Sequence, residues 1–360
     1  MFGQSAARYL IPSLVFGGLD SLALDRNAGQ MSNCARLFLA GFLCIFFACT
    51  AAAQTVNLRY GQAYSAMRSI FSLPISIADR EGFFRREGLN FHVVVPIPGG
   101  SDKMIDALQD DTADVTHIAT PFLIRAALAG SDAVAIAAEF NNPIYSLVAK
   151  PEIKSFADLR GKLVGLADEA GSITISTRKL LTLHGIREGD FQFKIIEGTP
   201  ARFTCLRRGD CAAVPLGQPQ DFLALSEGYR LLGLSTEAVP EFLYTVTAVR
   251  RSWAEAHKDA LVRYVRGLGS AFKFIRDPAQ RKAVAKTIVE TTGSSAAVAE
   301  QTLKLFFEPD RKVLPKQGEI DIRGLAQVIA FMEEAGTIKT PLPPAERFVD
   351  LQYLRAAGMQ

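Results

Sequence analysis

From residue 57 onward, short extended apolar runs alternate with segments whose apolar residues recur every three to four positions. The first runs predict a strand over 57–60, a polar loop over 61–69, and a helix from 75 that closes at Gly88. Pro74 stands early in that helix, where its missing N–H costs nothing, and Gly88 suits a left-handed cap. A strand over 90–95 leads into a Gly-Gly-Ser-Asp turn (99–102), an amphipathic helix over 103–109 and a strand over 114–119. Thr120-Pro121 then opens a helix over 122–129, followed by extended runs at 133–138 and 144–149. A second cycle begins with Ser155-x-x-Asp158, a capping-box pattern for one helical turn ended by Gly161. It continues through a strand (162–167), a loop (168–172), a helix (173–183) and a strand (191–196). Extended runs at 231–234 and 242–249 close it.

The stretch 99–130 returns 98 residues later: Gly100, Leu108, Pro121 and Gly130 have counterparts at Gly198, Leu206, Pro219 and Gly228. That offset exceeds a solenoid period of about 20–50 residues and suits a duplicated domain. Strands alternating with helices imply βαβ units, mainly parallel sheets and two similar α/β lobes. Tyr145 and Tyr244 occupy matching places in the extended runs that leave each lobe. Beyond Ser252 the pattern is helical, with one helix over 253–275 carrying Leu261, Val265, Leu268 and Phe272, another opened by Pro278, and two more over 296–307 and 322–332. No low-complexity linker sets these helices apart, so they must pack on a lobe.

At 360 residues there is room for two domains, and 49% hydrophobic with 21% charged residues describes a full globular core. A net charge of +3, with Lys and Arg scattered, gives no nucleic-acid surface. The N-terminus reads as an export signal: Arg36, an apolar run at 37–48 and small residues ending at Ala51-Ala52-Ala53, with cleavage expected before Gln54. Met31 is a plausible true start. A lipid anchor at Cys49 is disfavoured because Phe46-Phe47-Ala48 matches the small-residue lipobox poorly. Of five cysteines, Cys34, Cys44 and Cys49 lie in the signal, which leaves Cys205 and Cys211 in an oxidising compartment. They are either a disulfide joining a helix end to the next strand or two buried thiols.

The strand-to-helix loops are rich in Gly, Ser, Thr and Pro, at 99–102, 119–121, 171–174 and 198–200. In α/β sheets such loops gather at the carboxyl edge, where helix starts offer free N–H groups to anions and polar acceptors. Gly100, Ser101, Thr120, Pro121, Gly171, Ser172, Thr174 and Thr199 are therefore candidate ligand contacts across a cleft between the lobes. No catalytic residue, metal or cofactor is expected: no serine elbow, zinc helix, Walker loop or dinucleotide fingerprint occurs. Among four histidines, His92 falls in a strand, His184 before a helix-ending Gly and His257 on the polar side of a helix. His117 alone has a view of a cleft, with a core or edge position as the simpler reading. Asp168-Glu169 suits a cationic ligand group, although a solvated acidic turn is the simpler account.

Several segments together resemble a known family. The run 61–84, ending Leu-Pro-Ile-Ser-Ile-Ala-Asp-Arg-Glu-Gly-Phe-Phe, is similar to the opening strand-loop-helix of sulfonate, nitrate and taurine solute-binding proteins, which share a fold with thiamine-pyrimidine synthase-like proteins. Arg86-Glu87-Gly88-Leu89, Pro98-Gly99-Gly100-Ser101, the segment 155–162 and the closing 348–354 resemble further signatures of that family. The resemblance implies a two-lobed periplasmic-binding-protein fold with two hinge-crossing strands. Residues 1–53 are then an extension and signal, 54–146 lobe one, 147–244 lobe two, and 245–360 a return to lobe one. It further implies ligand contacts from the first loop (Gln62, Tyr64, Ser65, Arg68 and Ser69) and from the 215–219 loop (Gln218). The implied protein is a periplasmic monomer that captures a small anionic or polar organic ligand and delivers it to an ABC-type permease. The alternatives are a pyrimidine-synthase-like enzyme of the same fold and a sensory module for a membrane receptor.

Overall fold

The computed structural model describes residues 55–93, 97–307 and 311–359. The expected signal, Met31 and Cys49 lie outside them. The described strands are β1 (Val56–Gly61), β2 (Leu89–Val93), β3 (Val115–Ala119), β4 (Ala133–Phe140), β5 (Ser146–Ala149), β6 (Leu163–Leu166), β7 (Gln192–Ile195), β8 (Ala213–Leu216), β9 (Arg230–Leu234) and β10 (Thr245–Arg250). They form two five-stranded sheets, ordered β2-β1-β3-β10-β4 and β7-β6-β8-β5-β9. The two orders correspond strand for strand, which is the structural form of the 98-residue repeat.

Neither sheet is purely parallel. β1 pairs in parallel with β2 and β3, and β6 with β7 and β8. β10 runs antiparallel between β3 and β4, and β5 antiparallel between β8 and β9. The cause is the chain path. β5 and β10 each arrive from the other lobe and enter their sheet at the end toward which the parallel strands run, so they must point the opposite way.

The principal helices are α1 (Leu73–Arg80), α2 (Ser101–Gln109), α3 (Thr120–Leu128), α4 (Ser172–Leu183), α5 (Thr199–Arg208), α6 (Gln220–Ser226), α7 (Lys258–Arg276), α8 (Arg281–Thr292), α9 (Ala296–Phe306) and α10 (Ile322–Glu334). One continuous apolar cluster joins the first sheet to α1, α7 and the other C-terminal helices, so those helices do pack on the first lobe. The second sheet buries its two faces in separate clusters. Leu147 of β5 joins Leu180 and Leu181 of α4 on one face, and its neighbour Val148 joins Phe203 and Leu206 of α5 on the other. Consecutive residues of a strand point to opposite faces, and here both faces are apolar because both are covered.

Three expected elements differ in detail. The polar loop after β1 contains a helical turn, Tyr64–Met67, and a 3-10 turn, Ile70–Ser72. The helix expected to run to Gly88 stops at Arg80, because Gly82 takes a left-handed φ of 69° before a separate turn, Phe83–Arg86. The helix expected over 253–275 breaks at His257, whose φ of −124° leaves the helical region. The His257 ring, exposed, stacks on Trp253 at 4.0 Å. The capping box is present: Asp158 Oδ2 accepts from the Ser155 backbone N–H at 2.9 Å.

Cys205 and Cys211 are joined in a disulfide, with Cα atoms 5.4 Å apart. The bond closes a loop of six residues' separation between the end of α5 and β8. Loop-closure entropy for so short a ring is worth about 2 kcal/mol. Replacing both cysteines with serine is therefore expected to lower the urea unfolding free energy by about that amount, and an unchanged midpoint would contradict it.

Candidate functional site

Between the facing ends of the two sheets lies a cavity of about 640 Å³, lined by residues of both. Its walls begin with the repeated helix starts. Gly99, at a φ of 106°, turns the chain so that Gly100 precedes α2, and the Ser101 hydroxyl accepts from the Ala119 N–H at 3.3 Å. Opposite, Gly198, at a φ of 78°, leads into Thr199 of α5. Gly100, Ser101, Gly198 and Thr199 all line the cavity. The two copies of the repeat therefore face each other across it.

The base is aromatic. Phe71 stacks on Tyr145 at 5.3 Å and meets Tyr244 edge-on at 5.3 Å. The two tyrosines stand just before β5 and β10, where the chain crosses between lobes, and their hydroxyls hydrogen-bond at 3.0 Å. Burial pushes the Tyr145 phenol up to about 12 and Tyr244 well above its ordinary value, so both are neutral in the physiological range.

The strongest electrostatic feature is Arg202, on the first turn of α5 and 1% exposed. Its Nε donates to Pro215 O at 2.8 Å, one Nη to Ile196 O at 3.1 Å and the other to Thr199 Oγ1 at 3.1 Å. A guanidinium has five N–H donors, so two remain, and among the described residues no carboxylate forms an ion pair with it. Burial depresses its pKa, partly offset by Tyr145 and Asp168 nearby. Asp168 lies in the turn before α4: its carboxylate accepts from the Gly171 N–H, and burial raises its pKa against that bond and against Arg202 and Arg125. Arg125 reaches from α3 across the cleft to donate to Ala170 O at 3.1 Å.

Two fully buried carboxylates back the walls. Glu139 accepts from Thr247 Oγ1 at 2.8 Å and lies 2.6 Å from His117 Nδ1. Asp221 accepts from Ser146 Oγ at 2.8 Å, from Gln218 Nε2 at 2.8 Å and from the Phe222 N–H at 2.7 Å. Desolvation is the largest influence on Asp221 and raises its pKa above the unfolded value of about 3.9. Below the unfolded value this group's contribution to stability is complete, and it is lost as pH rises through the folded value. Relative to the wild type, Asp221→Asn is thus expected to be more stable at pH 7 than at pH 4. Denaturant titrations at the two pH values check it, and a constant difference would count against it.

Of the residues expected at the site, Ser69, Gly100, Ser101, Ser172, Thr199 and Gln218 line the cavity. The others sit nearby in different roles. Gln62 is buried beside β1, Tyr64 is 57% exposed, Arg68 is exposed, and Ser65 lies on the same helical turn as Tyr64. The Thr120 hydroxyl donates to Leu243 O at 2.5 Å, and Pro121 is buried in the first turn of α3. Gly171 precedes α4 beside Asp168, and the Thr174 hydroxyl donates to Asp168 O at 2.7 Å. His117, Asp168, Glu169, Tyr145 and Tyr244 also line the cavity, as do Arg202, Arg125 and Thr245, which no sequence pattern marked. Three buried polar atoms of lining residues, Ser172 Oγ, Gln218 Oε1 and Thr245 Oγ1, have no hydrogen-bond partner. Among the described residues, no group of three His, Cys, Asp or Glu is placed to hold a metal, and no helix is long and apolar enough to cross a membrane.

Comparison with known proteins agrees with this architecture. YtlA of Bacillus subtilis (strain 168) is 22% identical over 321 residues, spanning 84% of this chain and 93% of its own. The ligand-binding component of an ABC-type import system from Staphylococcus aureus superposes with a TM-score of 0.70 at 13% identity, over 85% of this chain and 100% of its own. The alkanesulfonate-binding protein SsuA of Xanthomonas axonopodis pv. citri, bound to MOPS, gives 0.64 at 16% identity, over 82% and 98%. The fold is the two-lobed periplasmic-binding-protein fold. The model of the NMT1/THI5-like family matches residues 71–280, more than half of the sequence, and the chain belongs to that family.

Proposed function

We propose that this protein is an exported solute-binding protein that captures a small organic anion in the cleft and delivers it to an ABC-type permease. In this reading residues 54–146 with 245–360 form one lobe and 147–244 the other, and they close about the crossings at Tyr145 and Tyr244. The observation that carries it is Arg202, a buried guanidinium on the cavity wall with donors to spare and, among the described residues, no ion-paired carboxylate. Such a group is costly to bury without a counter-charge and is suited to a bidentate acid. The cavity volume of about 640 Å³ falls in the range of small-molecule sites, roughly 300–1,000 Å³, and favours an organic acid over an ion of nitrate size. The aromatic base offers apolar surface for its carbon skeleton. Relatives of the same fold, including the S. aureus import component and SsuA, support binding and delivery as the role.

A thermal-shift screen of the mature chain against sulfonates and carboxylates tests this. A ligand present at 100 times its Kd adds about 2.7 kcal/mol of stability. A broad panel of organic acids that leaves the transition unmoved would refute the proposal.

A further inference from the structure

Two cavity-lining side chains, one in each lobe, are held by the same device. Gln218 follows β8 and is 1% exposed; His117 lies in β3, the corresponding strand of the other sheet, and is 7% exposed. Each is fixed from behind by a carboxylate that is 0% exposed, Asp221 for Gln218 and Glu139 for His117. A carboxylate accepts hydrogen bonds and does not donate them, so it decides which end of its partner faces it. Both oxygens of Asp221 receive N–H or O–H donors, the Gln218 Nε2 among them, which leaves Oε1 as the free end of the amide. That Oε1 is buried and has no partner. Glu139 likewise accepts from Thr247 and takes the Nδ1–H of His117, and in that tautomer Nε2 carries the lone pair. Both lobes thus offer the cavity an acceptor whose orientation is set by a buried charge.

We propose that the ligand is an organic acid that also carries N–H donors, read by Gln218 Oε1 in one wall and His117 Nε2 in the other. This rests on the reading of the cleft as a ligand site and narrows the ligand class. Burying an acceptor without a partner is expensive, so an acid that cannot donate leaves Gln218 Oε1 unsatisfied when the lobes close on it. The carboxylates of Asp102, Asp168, Glu169 and Glu197 line the same cavity and favour a donor with positive charge on its hydrogens. Simple alkanesulfonates and nitrate have no N–H and are excluded as the preferred ligand. Discrimination of this type is larger than that from a missing methylene, because the protein's own polar groups are left unpaired.

Two measurements on the mature chain test this. The first needs no ligand: 15N NMR of the imidazoles at pH 8, with His117 assigned by its loss in His117→Gln. Protonated Nδ1 and unprotonated Nε2 are expected; a protonated Nε2 overturns the assignment of His117 as an acceptor. The second uses matched probes in calorimetry and thermal shift, 3-aminopropane-1-sulfonate against butane-1-sulfonate and 4-aminobenzoate against 4-methylbenzoate, with benzamide as a neutral donor. The N–H member of a pair is expected to bind at least tenfold more tightly, and Gln218→Met to shrink that ratio. Equal binding within the pairs overturns the proposal. Binding of benzamide but of no acid overturns the anion reading of the cleft and keeps the donor requirement. Binding of none of the five overturns both. If Gln218→Met does not fold, the ratios in the wild type still decide.

Discussion

Arg202→Met is expected to abolish high-affinity capture while leaving a folded protein. The guanidinium is buried, lines the cavity, holds three acceptors of its own lobe and has two further N–H groups. Removing one partner of a desolvated, hydrogen-bonded charge pair costs about 2–5 kcal/mol of binding, or roughly 30- to several-thousand-fold in Kd. Two opposing effects act on stability. Pro215 O, Ile196 O and Thr199 Oγ1 lose their donor, at about 1–3 kcal/mol for each acceptor left unsatisfied. Against that, a buried charge with no ion-paired carboxylate among the described residues is removed, and its desolvation penalty is several kcal/mol. The affinity therefore falls far more than the unfolding midpoint. Arg202→Lys should also bind weakly, since an ammonium keeps the charge but loses the planar fork that spans these acceptors. Calorimetry with the best acid of the screen, alongside urea denaturation, separates the two quantities. Wild-type affinity in Arg202→Met would show that the anion binds elsewhere.

Phe84→Ala is expected to be the most damaging single change in the first lobe. The ring is 1% exposed and stacks on both Phe91 and Tyr264, with centroids 4.3 and 5.2 Å away. Gly267 of α7 leaves room for it: a Cβ added there would sit 2.6 Å from Phe84 Cδ1. The ring thus binds the turn after α1 to β2 and α7 at once. Truncating a buried Phe costs about 3–5 kcal/mol, a large part of the 5–15 kcal/mol typical of a whole domain. Its neighbour Phe83 is only partly buried, so Phe83→Ala should cost clearly less. Similar urea midpoints for the two variants would mean that the stack contributes little beyond ordinary packing.

Much of the scaffold was legible because local physics dictates it. Gly130 and Gly228, a matched pair of the repeat, both adopt positive φ after a helix, which few other residues tolerate, so that part of the repeat is legible from the glycines. The pairing of Tyr145 with Tyr244 was visible as matched positions, although their hydrogen bond was not. The strands are mainly parallel as expected, but the one reversed strand in each sheet is not legible, because an antiparallel insertion from another lobe leaves no trace in the alternation of apolar residues. The site was less legible. Arg202 sits beside Phe203 and four residues before Leu206, and nothing in that spacing shows that the arginine is buried too. Its burial comes from the carbonyls of Ile196 and Pro215, which only tertiary structure brings near. Conversely Arg68 suits a loop cation, yet it ends the helical turn Tyr64–Met67 with its side chain exposed. His117 was read as either core or cleft, and it is both, because β3 is buried along its length while its end opens on the cavity.

The insertion of β10 between β3 and β4 also sets the order in which the molecule can be completed. All five strands of the second sheet lie within residues 146–234, so that sheet can form as soon as its own stretch of chain is available. The first sheet cannot. Its strand between β3 and β4 comes from residues 245–250, and its covering helices come later still. Until that return, β3 and β4 present unpaired edges across the place β10 will fill, and closing them spans the whole intervening lobe. Contacts so distant in sequence form slowly, and open edges are sites of mispairing. A chain that emerges from its N-terminus therefore holds its first-made lobe unfinished longest, and a truncation between β9 and β10 should leave a folded second lobe attached to an aggregation-prone first one.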